Sequence, residues 1–404
     1  MKAAAATWAG FCAMCLGMFM AVLDIQIVVT SLHEIQRALD IEPDRTSRVQ
    51  TAYIIAEIIA IPLTGLLTRA LTMRGLFCGA IALFTAASIG CAASGGFATL
   101  VAFRVVQGFA GGMLIPLVFS AVFLLFAGRS QAFATTIAGM LAVLAPTVGP
   151  LAGGWITQTF AWQWLFLVNV APGVVSFAVA WLALPRELPD RAALRTLDWP
   201  SLGSLAIALA VFEIAVRDAP TRGWMSGLVL ALIAVTLACG SFFVMRTLRR
   251  DAPVVDLALL GDRDFALGCA LSFLLGMGLY GMVYLMPLFL AFVRDHGPFT
   301  IGWIMLATGA AQLAGAPAVV ALERFVHART LTLAGFVLFA VGLALGARAT
   351  LETDEADLFW PQAVRGFAVM FCILAPTRLA LGHLPPARVA DASALFNLMR
   401  NLGG

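Results

Sequence analysis

The sequence predicts an all-α polytopic membrane protein. Three observations carry that prediction: a very high apolar share, a train of apolar segments long enough to cross a bilayer, and an internal repeat joining early segments to late ones. Hydrophobic residues fill 61% of the 404 positions and charged residues only 12%, with a mean hydropathy of +0.96. A soluble domain carries about 45–50% apolar and about 25% charged residues.

A membrane helix needs roughly 17–25 mostly apolar residues, and twelve segments qualify. Helix 1 (8–29) lacks a small-residue cleavage signature and is followed by eleven more segments, so it reads as a span and not as a signal peptide. Helices 2 (51–68) and 3 (75–94) are joined by a short Arg-bearing loop. Helices 4 (98–126), 5 (131–157) and 6 (164–184) follow. Helices 7 (200–216) and 8 (224–245) lie between longer polar stretches, and helices 9–12 occupy 265–293, 300–321, 331–347 and 358–382. With the N-terminus inside, the cytoplasmic ends hold fourteen Lys and Arg, Arg191 and Arg195 among them, and the opposite ends seven. The positive-inside rule then places the N-terminus in the cytoplasm.

The same composition excludes several functions. The chain holds one lysine, Lys2, against 24 arginines, so a phosphate-cradling GxxxxGK[ST] loop cannot be built. No HExxH or GxSxG stretch is present. Seven cysteines, an odd number and all within apolar runs, argue against a disulfide framework. The Cys12-x-x-Cys15 pair sits inside a span and reads as packing. No metal, cofactor or nucleic-acid site is expected, and no catalytic cluster marks an enzyme.

Val106-Gln-Gly-Phe-Ala110 in helix 4 recurs as Val364-Arg-Gly-Phe-Ala368 in helix 12, and Pro62 with Arg69 recurs at the same spacing as Pro317 with Arg324. Helices 9–12 thus repeat helices 1–4 in parallel, an arrangement used by transport proteins, and helices 7–8 are an inserted pair. The expected domains are a six-helix bundle over 1–184, the inserted helices with flanking loops over 185–263, and a partial second bundle over 264–404. The chain stops near Asn397–Gly404, where the next span is expected to begin, and so reads as part of a fourteen-helix protein.

Ionisable residues inside a membrane are costly and mark function by default. Asp24 in helix 1 and Arg104 in helix 4 lie at similar depths. Desolvation favours a neutral carboxyl and a nearby guanidinium the ionised one, so movement between the two makes a proton switch. The alternative is a static ion pair holding two helices together. Glu57 in helix 2 is a second proton site or a carboxyl satisfied by neighbours. Glu213, four residues before Arg217, reads as an interfacial ion pair. Arg365 stands at the repeat position of Gln107, and these two with Asn169 are the candidates for touching substrate.

Ala145-Pro146-Thr-Val-Gly149-Pro150-Leu-Ala-Gly153-Gly154 places two prolines and three glycines in one apolar helix. Proline costs about 3 kcal/mol in an exposed helix interior, yet packed membrane helices tolerate it. Together with Gly108-x-x-x-Gly112, these small residues allow close helix approach, either as packing or as a sliding seam.

These motifs resemble the major facilitator superfamily, and within it the fourteen-helix drug:proton antiporters of the EmrB/QacA type. Leu23-Asp24-Ile-Gln-Ile27 is similar to that family's Leu-Asp-x-Thr-Ile, Arg104-Val-Val-Gln-Gly108 to its R-x-x-Q-G, and 145–154 to its G-x-x-x-G-P-x-x-G-G. Trp162-Gln-Trp-Leu-Phe-Leu-Val-Asn169 is similar to W-R-W-x-F-x-x-N. The loop Gly65-Leu-Leu-Thr-Arg69-Ala-Leu-Thr-Met-Arg74-Gly75 keeps two arginines of the family's gating loop. It lacks the acidic residue and a central glycine, which removes the usual half of a cytoplasmic charge latch. The resemblance implies a fold of two parallel-repeat six-helix halves with an inserted central pair, the last two helices absent from this chain. It also implies proton-driven efflux of amphiphiles from the bacterial inner membrane, often with a periplasmic adaptor (membrane fusion) protein and an outer-membrane channel. An importer or uniporter of a metabolite or siderophore is the alternative on the same fold.

Overall fold

A computed structural model describes residues 2–46, 48–189, 198–250, 255–296 and 298–404. Arg191 and Arg195 of the charge bias lie outside the described residues. The long helices are α1 (Lys2–Thr30), α2 (Arg48–Leu71), α3 (Met73–Ala92), α4 (Phe97–Leu125), α5 (Gly128–Thr159), α6 (Val170–Ala183), α7 (Trp199–Arg222), α8 (Gly227–Thr247), α9 (Arg263–Phe292), α10 (Pro298–Leu322), α11 (Ala328–Gly346), α12 (Glu355–Leu381) and α13 (Pro386–Gly403). Among the described residues twelve helices are long and apolar enough to cross a membrane, and they coincide with the twelve expected segments. Trp164–Leu167, a short turn of helix, extends α6 at its start.

One element departs from expectation. The sequence reading places the next span only from about residue 397, but Pro386–Gly403 is already an 18-residue helix. Its polar residues hid it: Asp391, Ser393, Asn397 and Arg400 break the apolar pattern, and all four are buried by protein. The helix packs on α9, α2 and α4. Ser393 donates to the Pro116 carbonyl of α4 at 2.9 Å, and Arg400 donates to Asn397 at 2.9 Å with its guanidinium 5.5 Å from the Phe119 ring.

Lipid is as apolar as leucine, so membrane helices associate by close packing of small residues. Here a side chain added at Gly108 would stand 2.3 Å from the Tyr53 carbonyl oxygen, and one at Gly112 2.5 Å from that of Glu57. The same contact recurs between α12 and α10, where a Cβ on Gly366 would lie 2.2 Å from the Thr308 carbonyl oxygen. Tyr53 and Thr308 each stand nine residues before the repeated prolines, Pro62 and Pro317. The sequence repeat is therefore a repeat of helix contacts.

Two seams join the first group of helices to the second: α2 and α4 against α13, and α5 against α10 and α12. A Cβ on Gly309 of α10 would meet Thr147 at 2.9 Å, and one on Gly302 would meet Leu151 at 3.0 Å. The pair α7–α8 packs mainly on itself and docks on α2, with Leu205, Leu209 and Phe243 joining a buried cluster with Ile58 and Ile61. Outward faces carry exposed Leu182, Leu237 and Leu333, with exposed Trp155, Trp199, Trp224, Trp303 and Trp360 toward helix ends, as expected of lipid-facing surface.

Candidate functional site

Asp24 and Arg104 meet in the interior with neither side chain exposed. Arg104 Nη1 donates to Asp24 Oδ2 at 2.5 Å. Two amides complete the carboxylate's shell: Asn169 Nδ2 at 2.7 Å and Gln107 Nε2 at 3.0 Å, both on Oδ1. Arg104 Nη1 also donates to Gln107 Oε1 at 2.8 Å, and Nη2 donates to Gln50 Oε1 at 3.2 Å. Gln107 Nε2 reaches Ser88 at 2.8 Å. The Tyr53 ring lies 4.2 Å from the guanidinium carbon, and the Tyr53 hydroxyl donates to the Ala21 carbonyl at 3.2 Å. One ion pair thus ties together α1, α2, α3, α4 and the entry to α6.

Gln107 and Asn169, candidates for touching substrate, are buried and donate to Asp24. Sequence reasoning missed Gln50, Tyr53 and Ser88, since ordinary polar residues on apolar helices carry no motif. Arg104 Nε and Gln50 Nε2 have no hydrogen-bond partner among the described residues. Each leaves the network able to re-pair if Asp24 gives up its contacts, because a buried unpaired donor gains from any acceptor that comes within reach.

Glu57 is buried on α2, one helical turn beyond Tyr53, and within electrostatic reach of both Asp24 and Arg104. Glu213 is half-buried on α7 with Arg217 in reach.

The Pro/Gly segment lies inside one continuous helix, α5, that passes through Pro146 and Pro150. Gly149 faces α1, where an added Cβ would stand 2.3 Å from Gln26 Cβ, two residues beyond Asp24. Pro146 and Thr147 face the other way, into a cavity with Arg365 of α12.

The stretch expected to be a loop is mostly helix, with Thr72 alone between α2 and α3. Arg69, in the last turn of α2, pairs with Asp391 of α13, joining the chain's first part to its last helix. Gly65 is the close-approach point, with Asp391 Cα 2.9 Å from where its Cβ would be. Arg74 turns away, 4.4 Å from the centre of the Trp181 ring on α6. The glycine missing from this loop is missing where the backbone needs one. Thr72 has φ 69° and ψ 159°, a region open to glycine and strained for a β-branched residue. Its hydroxyl accepts from the Gly75 amide at 3.2 Å, capping α3. Asp391 was not read from sequence, because the helix bearing it was not.

Helices packed in repeated parallel groups around a buried ion pair define a polytopic carrier. The model of the Major Facilitator Superfamily matches residues 14–404. The colistin resistance protein EmrB of Acinetobacter baumannii is 36% identical over 98% of this chain and 78% of its own length. The multidrug export protein EmrB of Escherichia coli K12 is 32% identical over 97% of this chain and 77% of that protein. The fatty acid resistance protein FarB of Neisseria gonorrhoeae is 30% identical over 100% and 80%. Among solved structures, the human organic anion transporter MFSD10 matches with a TM-score of 0.66 at 16% identity, covering 98% of this chain and 91% of that one. The proton:xylose symporter XylE matches with 0.65 at 14%, covering 99% and 87%. Both show the fold alone.

The chain belongs to the major facilitator superfamily, in its drug:proton antiporter family. It is a multi-pass bacterial membrane protein whose family and relatives are transporters.

Proposed function

We propose that this chain exports amphiphilic small molecules across the bacterial inner membrane in exchange for protons, by alternating access. The observation that carries the reading is the fully buried Asp24–Arg104 pair, closed by Gln107 and Asn169. Protonation of Asp24 removes the charge that Arg104 answers, and Arg104 then has Gln107, Gln50 and the Tyr53 ring left to hold it. Gln26, two residues along α1, presses on Gly149, so a shift of α1 reaches the Pro146–Gly154 segment of α5 and the seam with α10. One proton moved down about 100 mV releases roughly 2.3 kcal/mol, enough for about a fifty-fold gradient of a neutral substrate. The relatives' names, a multidrug export protein and proteins of resistance to colistin and to fatty acids, support export over import.

In this reading residues 1–184 and 264–404 are the two moving bodies, and residues 185–263 ride on α2. The N-terminus is cytoplasmic, and Arg69–Asp391 is the latch of the cytoplasmic side. A periplasmic adaptor and an outer-membrane channel are the expected partners. Energised inverted vesicles test the coupling: adding an amphiphile should release protons from wild type and not from Asp24→Asn. Undiminished release in the variant would move the proton off Asp24, with Glu57 the next position to change.

A further inference from the structure

The repeat that relates α4 to α12 copies the polar network but not its acid. Gln362 stands where α4 has Arg104, and Arg365 where it has Gln107. On α10, Thr308 stands where α2 has Tyr53, and Gln312 where it has Glu57. Arg365 Nη2 donates to Gln362 Oε1 at 2.5 Å and to Thr308 Oγ1 at 3.0 Å. Its Nη1 has no partner, and no carboxylate pairs with it among the described residues. Arg365 is 3% exposed, and the unpartnered Gln312 Oε1 and Gln362 Nε2 belong to residues 3% and 1% exposed. An uncompensated buried charge is costly, and here it borders a cavity.

We propose that Arg365, through its unpartnered Nη1, is a subsite for the carboxylate head of an amphiphilic substrate. In this conformation the cavity is narrow, with a polar and an apolar side. Arg365, Gln312 and Thr308 form its polar wall, while Leu279, Val283 and Val369 form an apolar one. A carboxylate suits the planar guanidinium fork, which binds two oxygens at once. Pro146 and Thr147 of α5 close the cavity from the first half, so an occupant here touches both sides of the seam. The first half answers its buried cation with Asp24 and keeps it for protons. The second half leaves its cation for cargo.

This assignment rests on the export reading, and the experiment separates the two. The full chain in phosphatidylcholine nanodiscs is titrated with dodecanoate, dodecanol and dodecyltrimethylammonium, for wild type, Arg365→Gln and Arg365→Lys. Dodecanoate should bind roughly 10- to 100-fold more weakly to Arg365→Gln, the scale of one hydrogen-bonded charged contact. Arg365→Lys should recover part of that loss, and dodecyltrimethylammonium should bind all three alike. Equal dodecanoate affinity for wild type and Arg365→Gln overturns the proposal, as does an equal loss for all three probes. A tenfold drop in dodecanoate affinity in phosphatidylglycerol nanodiscs that wild type shows and Arg365→Gln does not also overturns it, since a lipid headgroup then competes for the site beyond the general repulsion of an anion by an anionic bilayer. Dodecanoate bound through Arg365 but not moved by a pH gradient leaves the subsite standing and removes the export reading.

Discussion

Reversing the Arg69–Asp391 pair is the most informative perturbation of the seam. Asp391 is 8% exposed at its side chain and Arg69 37%, so the contact is sheltered on one side only. Two unit charges about 4 Å apart at an effective dielectric near 20 attract by roughly 4 kcal/mol. Solvent on the arginine side reduces this toward the ~1.5–3 kcal/mol of a hydrogen bond to a charged group. Losing it should shift the closed-to-open ratio at this end by roughly 10- to 100-fold. Arg69→Asp faces two carboxylates across the seam, Asp391→Arg faces two guanidiniums, and the double reversal restores the pair. After replacement of the seven native cysteines, spin labels at Leu71→Cys and Ala387→Cys report the separation of α2 and α13. Each single reversal should populate a longer distance, and the double reversal should recover the short one. If the singles leave the distance unchanged, or the double remains as open as the singles, the pair is not a latch.

Further expectations follow from the same geometry. Thr72→Gly should raise the apparent melting temperature by about 1–2 °C, because relief of roughly 1–3 kcal/mol of strain outweighs the few tenths lost at the cap; a fall in melting temperature would show that the backbone there is relaxed. Gly108→Ala should destabilise by about 1–3 kcal/mol by forcing α4 off the Tyr53 carbonyl. Gly203→Ala, with open space around it, should be neutral or gain up to about 1 kcal/mol, and equal effects at the two sites would be evidence against the packing account. Outside the spans, hydrogen bonds from Arg246 and Ser201 hold the Asp198 carboxyl down to about 2. Because the folded value is depressed, its stabilisation is complete above about pH 4 and fades as pH falls through 2. The melting-temperature gap between wild type and Asp198→Asn should therefore be flat from pH 8 to 5 and narrow below pH 4; a gap that widens in acid would contradict it.

How much of this was legible in the sequence follows from how each feature is encoded. Spans are written in composition, and all twelve were found because lipid demands a continuous apolar run. The Asp24–Arg104 pair was legible because a charge in such a run has few reasons to be there. Gln107 and Asn169 were recognised as special, but their bonds to Asp24 were not legible, since neutral amides serve a ligand and a carboxylate equally well. Helix α13 was missed because protein, not lipid, surrounds Asp391, Asn397 and Arg400, so its composition resembles a loop. Missing that helix hid the partner of Arg69, and the loop looked short of a charge that the far end of the chain supplies.

That long-range supply sets the terms on which this carrier's pieces can be exchanged. In the loop it resembles, the acid sits on the first half; here the first half brings the base and the last helix the acid. A hybrid joining residues from this chain's last helix to a relative's acidic loop would bring two carboxylates together at the point where Gly65 leaves no room to separate them. Like charges at such a contact reject a partner more firmly than a missing bond would. A charge change in either segment is thus answered, or left unanswered, by a residue some 320 positions away.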